Sequence, residues 1–249
     1  MKNIDILIIG AGISGCVLAE RYATIGKKVL IIEKRKHIAG NCYDYIDEND
    51  ILISQYGPHL FHTNDQSVWE YVNQFSEWHP LEHKETASNG NKTVPISVNS
   101  SVTNELFIAN VTNEEEIVLN HVKPVQLEKA DKYQGLPKGG YTQLFKNILT
   151  HPNIEVLLET DYFDIKEEYT NYENLFYTGP VDRFFEFTHN FSEKLECRSI
   201  HYVSETFDDE IFDENPVVNA QGMDQVFKNA LDLFNQLEKD KKTIYKTAV

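Results

Sequence analysis

The chain has few of the residues that mark membrane, metal or disulfide-built proteins. Only three of its 249 residues are cysteine, Cys16, Cys42 and Cys197. They have no metal or redox spacing, and so sparse and odd a set fits reduced thiols in a cytoplasmic protein. No apolar stretch approaches the ~20 residues needed to span a bilayer. The apolar N-terminal stretch, Ile4 to Ile9, is too short for a signal peptide and runs directly into a glycine motif. Positive charge is scarce: 23 Lys and Arg stand against 39 Asp and Glu, a net charge of −16. That balance argues against nucleic acid and anionic membranes as partners, so an anionic ligand would need a locally basic pocket. Repeats and low-complexity tracts are absent. Sequons at Asn91, Asn99, Asn110 and Asn190 read as chance in such a chain.

What is present is concentrated near the beginning. Ile4 to Ile9 reads as a strand buried on both faces. Gly10, Gly12 and Gly15 then spell G-x-G-x-x-G, and Ser14 to Ile25 carries Val17, Leu18, Tyr22 and Ile25 at helical spacing. Gly26 stops that helix, and Val29 to Ile32 is a second buried strand closed by Glu33. Gly10 suits a tight turn, Gly12 lets backbone amides approach a pyrophosphate, and Gly15 permits close packing of helix on strand. Glu33 is placed to accept hydrogen bonds from a ribose, which favours NAD or FAD over NADP. The following stretch is basic and contains glycine. Lys34 and Arg35 add positive charge and Gly40-Asn41 offers further backbone amides, a pattern that favours FAD over NAD.

Later segments alternate strand and helix signals. Cys42 to Ile46 and Ile51 to Tyr56 flank a polar turn and read as a hairpin. Thr63 or Asn64 is a candidate cap for a helix reaching Phe75, with Val68, Trp69, Val72 and Phe75 inward. Gly140 to Leu149 reads as a short helix with Leu144, Phe145 and Ile148 inward. Strand candidates are Thr93 to Val98, Glu105 to Val111, Ile154 to Leu158, Asn174 to Thr178 and Glu196 to Thr206. Met223 to Leu237 is amphipathic, and a charged tail from Glu238 is expected to fray.

Several motifs together resemble the UDP-galactopyranose mutase family. They are Glu33-Lys34-Arg35 with His37-Ile38 and Gly40-Asn41, then Tyr56-Gly57 with His59 and Phe61-His62-Thr63-Asn64-Asp65. Tyr133-Gln134-Gly135-Leu136-Pro137 follows, with Gly139 to Thr142, Tyr177 to Asp182, Arg198-Ser199 and Met223 to Val226. The resemblance implies an α/β fold with a Rossmann-like FAD-binding domain of the GR2 type and a smaller β-rich second layer. The expected FAD domain comprises 1–80, 133–185 and 222–249. The expected substrate-side region comprises 81–132 and 186–221.

The resemblance also implies an isomerase that interconverts UDP-galactopyranose and UDP-galactofuranose, or a related nucleotide sugar, through an adduct at N5 of reduced flavin. The loop of Tyr56, Gly57 and His59, with His62 and Gly179, would lie near the flavin. Arg198 would stabilise reduced flavin or a departing phosphate, Tyr133 would touch substrate phosphate, and Gly222 and Met223 would open a helix toward the flavin. Each has a plainer reading: a structural hydrogen bond for His62, a salt bridge for Arg198, aromatic packing for Tyr133. No metal site is expected.

The sequence also departs from that family. Only residues 82 to 132 fill the interval where the family has a helical domain with a phosphate-binding arginine loop. The tyrosines expected before Met223 are missing too. The residues therefore leave two alternatives, a small flavin oxidoreductase and a non-catalytic interaction module. A homo-oligomer or a partner chain could complete the substrate site.

Overall fold

The computed structural model describes residues 4–80, 86–88, 93–95, 131–189 and 223–247. Its centre is a four-stranded parallel sheet. Strand β1 is Ile6–Ile9 and β2 is Val29–Ile32. Every residue of both strands is buried, as their unbroken apolar runs require. Helix α1, Ile13–Thr24, connects them, and the expected helix is thus displaced by one residue.

The hairpin is smaller than expected. It consists of β3, Asp44–Ile46, and β4, Leu52–Ser54, because Cys42 belongs to a 3₁₀ turn over Gly40–Cys42. Strand β5, Phe61–Thr63, precedes helix α2, Gln66–Val72. The cap of α2 is Asp65 rather than Thr63 or Asn64. Its carboxylate accepts from the Ser67 amide at 2.8 Å and the Val68 amide at 3.3 Å. Thr63 Oγ1 instead accepts from the Asp65 amide. Strand β6 is Trp78–Pro80, and Thr86–Ser88 pairs with Thr93–Pro95 as β7 and β8.

Strand β9, Tyr133–Pro137, lies between β5 and β6 in a three-stranded antiparallel sheet. Gly135 is required there, since a Cβ would meet the His79 carbonyl at 2.7 Å. Helix α3, Gly140–Ile148, leads to β10, Ile154–Leu157. A short helix α4, Tyr162–Ile165, lies in the crossover to β11, Asn174–Tyr177. Helix α5, Val181–His189, follows, and α6 is Met223–Thr247. Helix α6 runs past Glu238, so the expected fraying there is replaced by continued helix.

The parallel sheet has the order β10-β2-β1-β11. Alternate residues send their side chains to opposite faces. Ile6, Ile8, Val29 and Ile31 pack with Val17, Tyr22, Leu144, Phe145 and Phe227 from α1, α3 and α6. Leu7, Ile9, Leu30 and Ile32 pack with Tyr162, Phe163 and Tyr177 on the other face. The crossover between β10 and β11, with Ile4, covers that second face. The expected strands Glu105 to Val111 and Glu196 to Thr206, with Arg198 and Gly222, lie outside the described residues.

Candidate cofactor cleft

A cleft of about 550 Å³ opens at the C-terminal ends of β1, β2 and β11. This is where a parallel sheet leaves room for a ligand between its diverging loops. Gly10 has φ +104°, and a Cβ there would meet Thr178 Oγ1 at 2.3 Å. A Cβ on Gly15 would fall 2.0 Å from the Gly10 carbonyl, so helix and turn touch through backbone alone. Gly12 caps α1 with no side-chain hydrogen bond, and the first turn holds no acidic residue. Its first amides therefore face the cleft unpartnered by a side chain, with the positive end of the helix behind them.

A second glycine completes the floor. Gly40 has φ +56°, and a Cβ on it would stand 3.0 Å from the Gly12 Cα. The two backbones cross at contact distance. A Cβ on Gly12 itself would meet nothing nearer than Gly40 at 4.0 Å, so the space it would enter belongs to the cleft.

Glu33 is 6% exposed and ties the cleft together. Its Oε2 accepts from the Ala11 amide at 2.8 Å and its Oε1 from the Arg35 amide at 2.8 Å. A carboxylate offers about four acceptor positions, so these two amides leave capacity for ribose hydroxyls. Lys34, Arg35 and Asn41 line the same cleft. Arg35 donates to Asn41 Oδ1 at 3.1 Å, and its guanidinium lies 4.9 Å over the Tyr56 ring. The Tyr56 hydroxyl meets His37 Nε2 at 2.9 Å.

The other expected residues divide into two groups. Gly10, Gly12, Ser14, Glu33, Lys34, Arg35, Gly40, Asn41 and Gly179 border the cleft. His59 stands next to it. Its Nε2 lies 3.0 Å from the Asn41 carbonyl, which only accepts, so that nitrogen carries the proton. Tyr141 donates its hydroxyl to the His59 carbonyl at 3.1 Å, and Gly57 before it is buried with φ +92°. Met223 begins α6 with its Sδ 3.5 Å from the Cys42 sulfur, and Val226 one turn later reaches the cleft.

His62 and Tyr133 are elsewhere, on the three-stranded sheet. Thr63 pairs with Tyr133 and His62 with Gln134, so the two candidates point to opposite faces. Tyr133 stacks on Trp69 at 5.0 Å, with Lys132 Nζ 4.6 Å over the ring. The His62 Nδ1 pairs with the Asp131 carboxylate, which also accepts from Asn64 Nδ2. No sequence motif marks Thr160, Asp161, Tyr162, Phe163 and Arg183, which complete the cleft wall. Asp161, which accepts from the Phe163 amide at 3.1 Å, was detectable only as a helix cap. No cluster able to hold a metal ion occurs among the described residues.

Residues 8–75 match the NAD(P)-binding Rossmann-like domain, and residues 124–247 match UDP-galactopyranose mutase. A UDP-galactopyranose mutase of Mycoplasma genitalium is 31% identical, over 88% of this chain and 70% of that protein. The chain belongs to the UDP-galactopyranose mutase family. A probable UDP-galactopyranose mutase of Klebsiella pneumoniae is 28% identical over 83% of this chain and 67% of its own length. The dTDP-fucopyranose mutase of Escherichia coli is 30% identical over 73% and 64%. A crystal structure of reduced UDP-galactopyranose mutase matches with a TM-score of 0.49 at 17% identity, over 74% of this chain and 57% of that one.

Enzymes with these names are isomerases. FAD is the cofactor that the family and the Rossmann-like cleft indicate for this chain, and the cleft suits it. It provides free helix amides, two crossing glycines and a carboxylate with acceptor capacity. The chain spans roughly two thirds of its mutase relatives. The match to the Mycoplasma protein runs over 288 positions against a chain of 249 residues, so that relative carries segments this chain lacks. Among the described residues no helix is long and apolar enough to cross a membrane.

Proposed function

We propose that the protein is a flavin-dependent isomerase of nucleotide sugars, interconverting UDP-galactopyranose and UDP-galactofuranose or a related pair. The observation that supports this most is the glycine-floored cleft with Glu33 at its edge, in a chain of this family. Reduced FAD supplies nucleophilic catalysis at N5 without net redox change. The chain's own residues bind and orient. The α1 amides at the Gly12–Gly40 crossing meet the pyrophosphate, Glu33 accepts from ribose hydroxyls, and Lys34 and Arg35 offset phosphate charge.

The loop of Gly57 and His59, held by the Asn41 carbonyl and the Tyr141 hydroxyl, would lie against the isoalloxazine in this reading. The family pattern gives Arg198 the task of stabilising negative charge, and Gly222 and Met223 that of directing α6 amides at the flavin. Residues 1–80, 133–185 and 222–249 form the FAD unit in this reading, although β5, β6 and β9 make a sheet of their own within it. Residues 81–132 and 186–221 form the substrate side. A second copy or a partner chain would complete the substrate site in this reading.

The test uses purified holoprotein reduced with dithionite and given UDP-galactofuranose, with UDP-galactopyranose followed by chromatography. Turnover above the oxidised control is the expected result. The name of the Escherichia coli relative makes dTDP-fucose the second substrate to try. Bound FAD without turnover on either sugar would overturn the isomerase reading. It would favour a non-catalytic flavoprotein, the reading suggested by the missing segments. Fast oxidation of NAD(P)H would instead favour a small oxidoreductase.

A further inference from the structure

The sheet order places β10 and β11 at opposite edges, with β2 and β1 between them. Three interstrand steps of ~4.8 Å separate the two edges by about 14 Å. Yet Asp161, just beyond β10, forms an ion pair with Arg183, just beyond β11. Both residues line the cleft. The pair therefore forms an arch between the two edges of the sheet, in the cleft wall that also holds Thr160, Phe163 and Tyr177.

Both ends of this arch are braced. The Thr160 amide donates to the Glu33 carbonyl at 3.0 Å and the Glu159 amide to the Arg35 carbonyl at 2.9 Å, which sets Asp161 beside Glu33. Asp161 also caps α4 through the Phe163 amide. The Arg183 guanidinium lies 5.6 Å over the Phe163 ring, and Phe163 packs on Tyr177. The arch thus borders the Glu33 end of the cleft, where a ribose belongs, and has aromatic walls suited to a flat base.

We propose that the Arg183–Asp161 pair is a latch across the cleft, holding the adenosine half of a bound dinucleotide and setting how fast it leaves. This rests on the FAD reading. FAD whose adenosine lies beneath the arch leaves only when the pair opens or swings aside. The side chains are 34% and 23% exposed, so the pair is partly screened and its effect on release is of order threefold to tenfold. Arginine suits the task because its planar cation pairs with a carboxylate while lying on an aromatic ring.

The experiment follows flavin fluorescence after large dilution of the FAD-loaded protein. Wild type is compared with Arg183→Ala, Arg183→Lys, Asp161→Asn and the Arg183→Ala/Asp161→Asn double variant. Each alanine or asparagine change should speed release about threefold to tenfold, and the double variant no further, since either change opens the same pair. Lysine should recover part of the loss. Wild-type release should quicken between low salt and about 0.5 M salt, and release from the variants should not. FMN, which lacks adenosine, should leave all of them at similar rates. Thermal unfolding of each apoprotein separates this effect from damage to the fold, and Arg183→Ala leaves the Asp161 cap intact. Unchanged FAD release in the variants, with FAD bound by all, overturns the latch and leaves the FAD reading standing. A wild type that takes up no FAD overturns both.

Discussion

The carboxylate of Asp44 holds the amide of Tyr141. Oδ2 accepts from that N–H at 2.6 Å, and Oδ1 accepts from the Thr142 amide at 2.8 Å. Asp44 is 3% exposed, so the strand of a hairpin caps a helix that begins almost a hundred residues later. The Thr142 hydroxyl returns the contact, donating to the Asp44 carbonyl at 2.7 Å. Hydrogen bonds to a charged group are worth about 1.5–3 kcal/mol. Asp44→Ala should lower stability by about 2–3 kcal/mol, and Asp44→Asn by less. The urea midpoint should fall with an unchanged slope.

Glu33→Ala removes a ribose acceptor and frees two backbone amides at once. FAD affinity should fall about tenfold to a hundredfold, and the apoprotein should melt earlier. Glu33→Gln retains one acceptor and should fall between. Fluorescence titration with FAD checks the first effect and calorimetry of apoprotein the second.

The two floor glycines should fail in different ways. Gly12→Ala adds a methyl where the protein has room, so the apoprotein should keep its melting temperature while FAD binding is lost. Gly40→Ala meets the Gly12 Cα at 3.0 Å with φ +56°, so both folding and binding should suffer. Comparing apoprotein melting with flavin retention separates the two.

Asp65 has its carboxyl held well below the ordinary range, first by the Ser67 hydroxyl and next by Lys228 of α6. A depressed carboxyl favours the folded state above the unfolded pKa of 3.8, and that contribution is lost as pH falls through the folded value. Stability should therefore drop below about pH 4. Asp65→Asn should drop less steeply there while being less stable at neutral pH. Denaturant titrations across the acid range would show the two curves converging.

Burial pushes the Cys42 thiol up to about 12, with Asp44 adding to it, and burial raises Cys16 as well. Only about one thiol in ten thousand is then ionised at pH 8 for Cys42. Neither cysteine should react with iodoacetamide in the folded protein, and both should react in urea. Peptide mapping by mass spectrometry reads each site.

The sequence was most legible where structure is local. The runs Ile6–Ile9 and Val29–Ile32, the three glycines, Glu33, and the inward set Leu144, Phe145 and Ile148 all follow from period and spacing. Three-residue strands carry no period, so the pairing of Tyr133–Pro137 with Phe61–Thr63 and Trp78–Pro80 was invisible. Thr63, Asn64 and Asp65 are three capping residue types in a row. The Ser67 hydroxyl favours Asp65, and Lys228 reinforces that choice from a distant helix. Asp161 and Arg183 meet although the sheet order sets β10 and β11 at opposite edges, because the chain beyond each strand turns back toward the other. Spacing along the chain cannot report such a meeting.

The cleft is also assembled out of chain order. On the ribosome, the glycine turn and Glu33 emerge more than a hundred residues before Gly179 and Arg183, and Val226 comes later still. Strand β1 must wait for β11 to be made before its second neighbour exists. A nascent chain therefore presents half a cradle until Gly179, Arg183 and Val226 are made. Its first two strands have an open edge in that interval, exposed to any other strand nearby. Cofactor capture waits for Gly179, Arg183 and Val226 to join a floor built earlier from Gly12, Glu33 and Gly40.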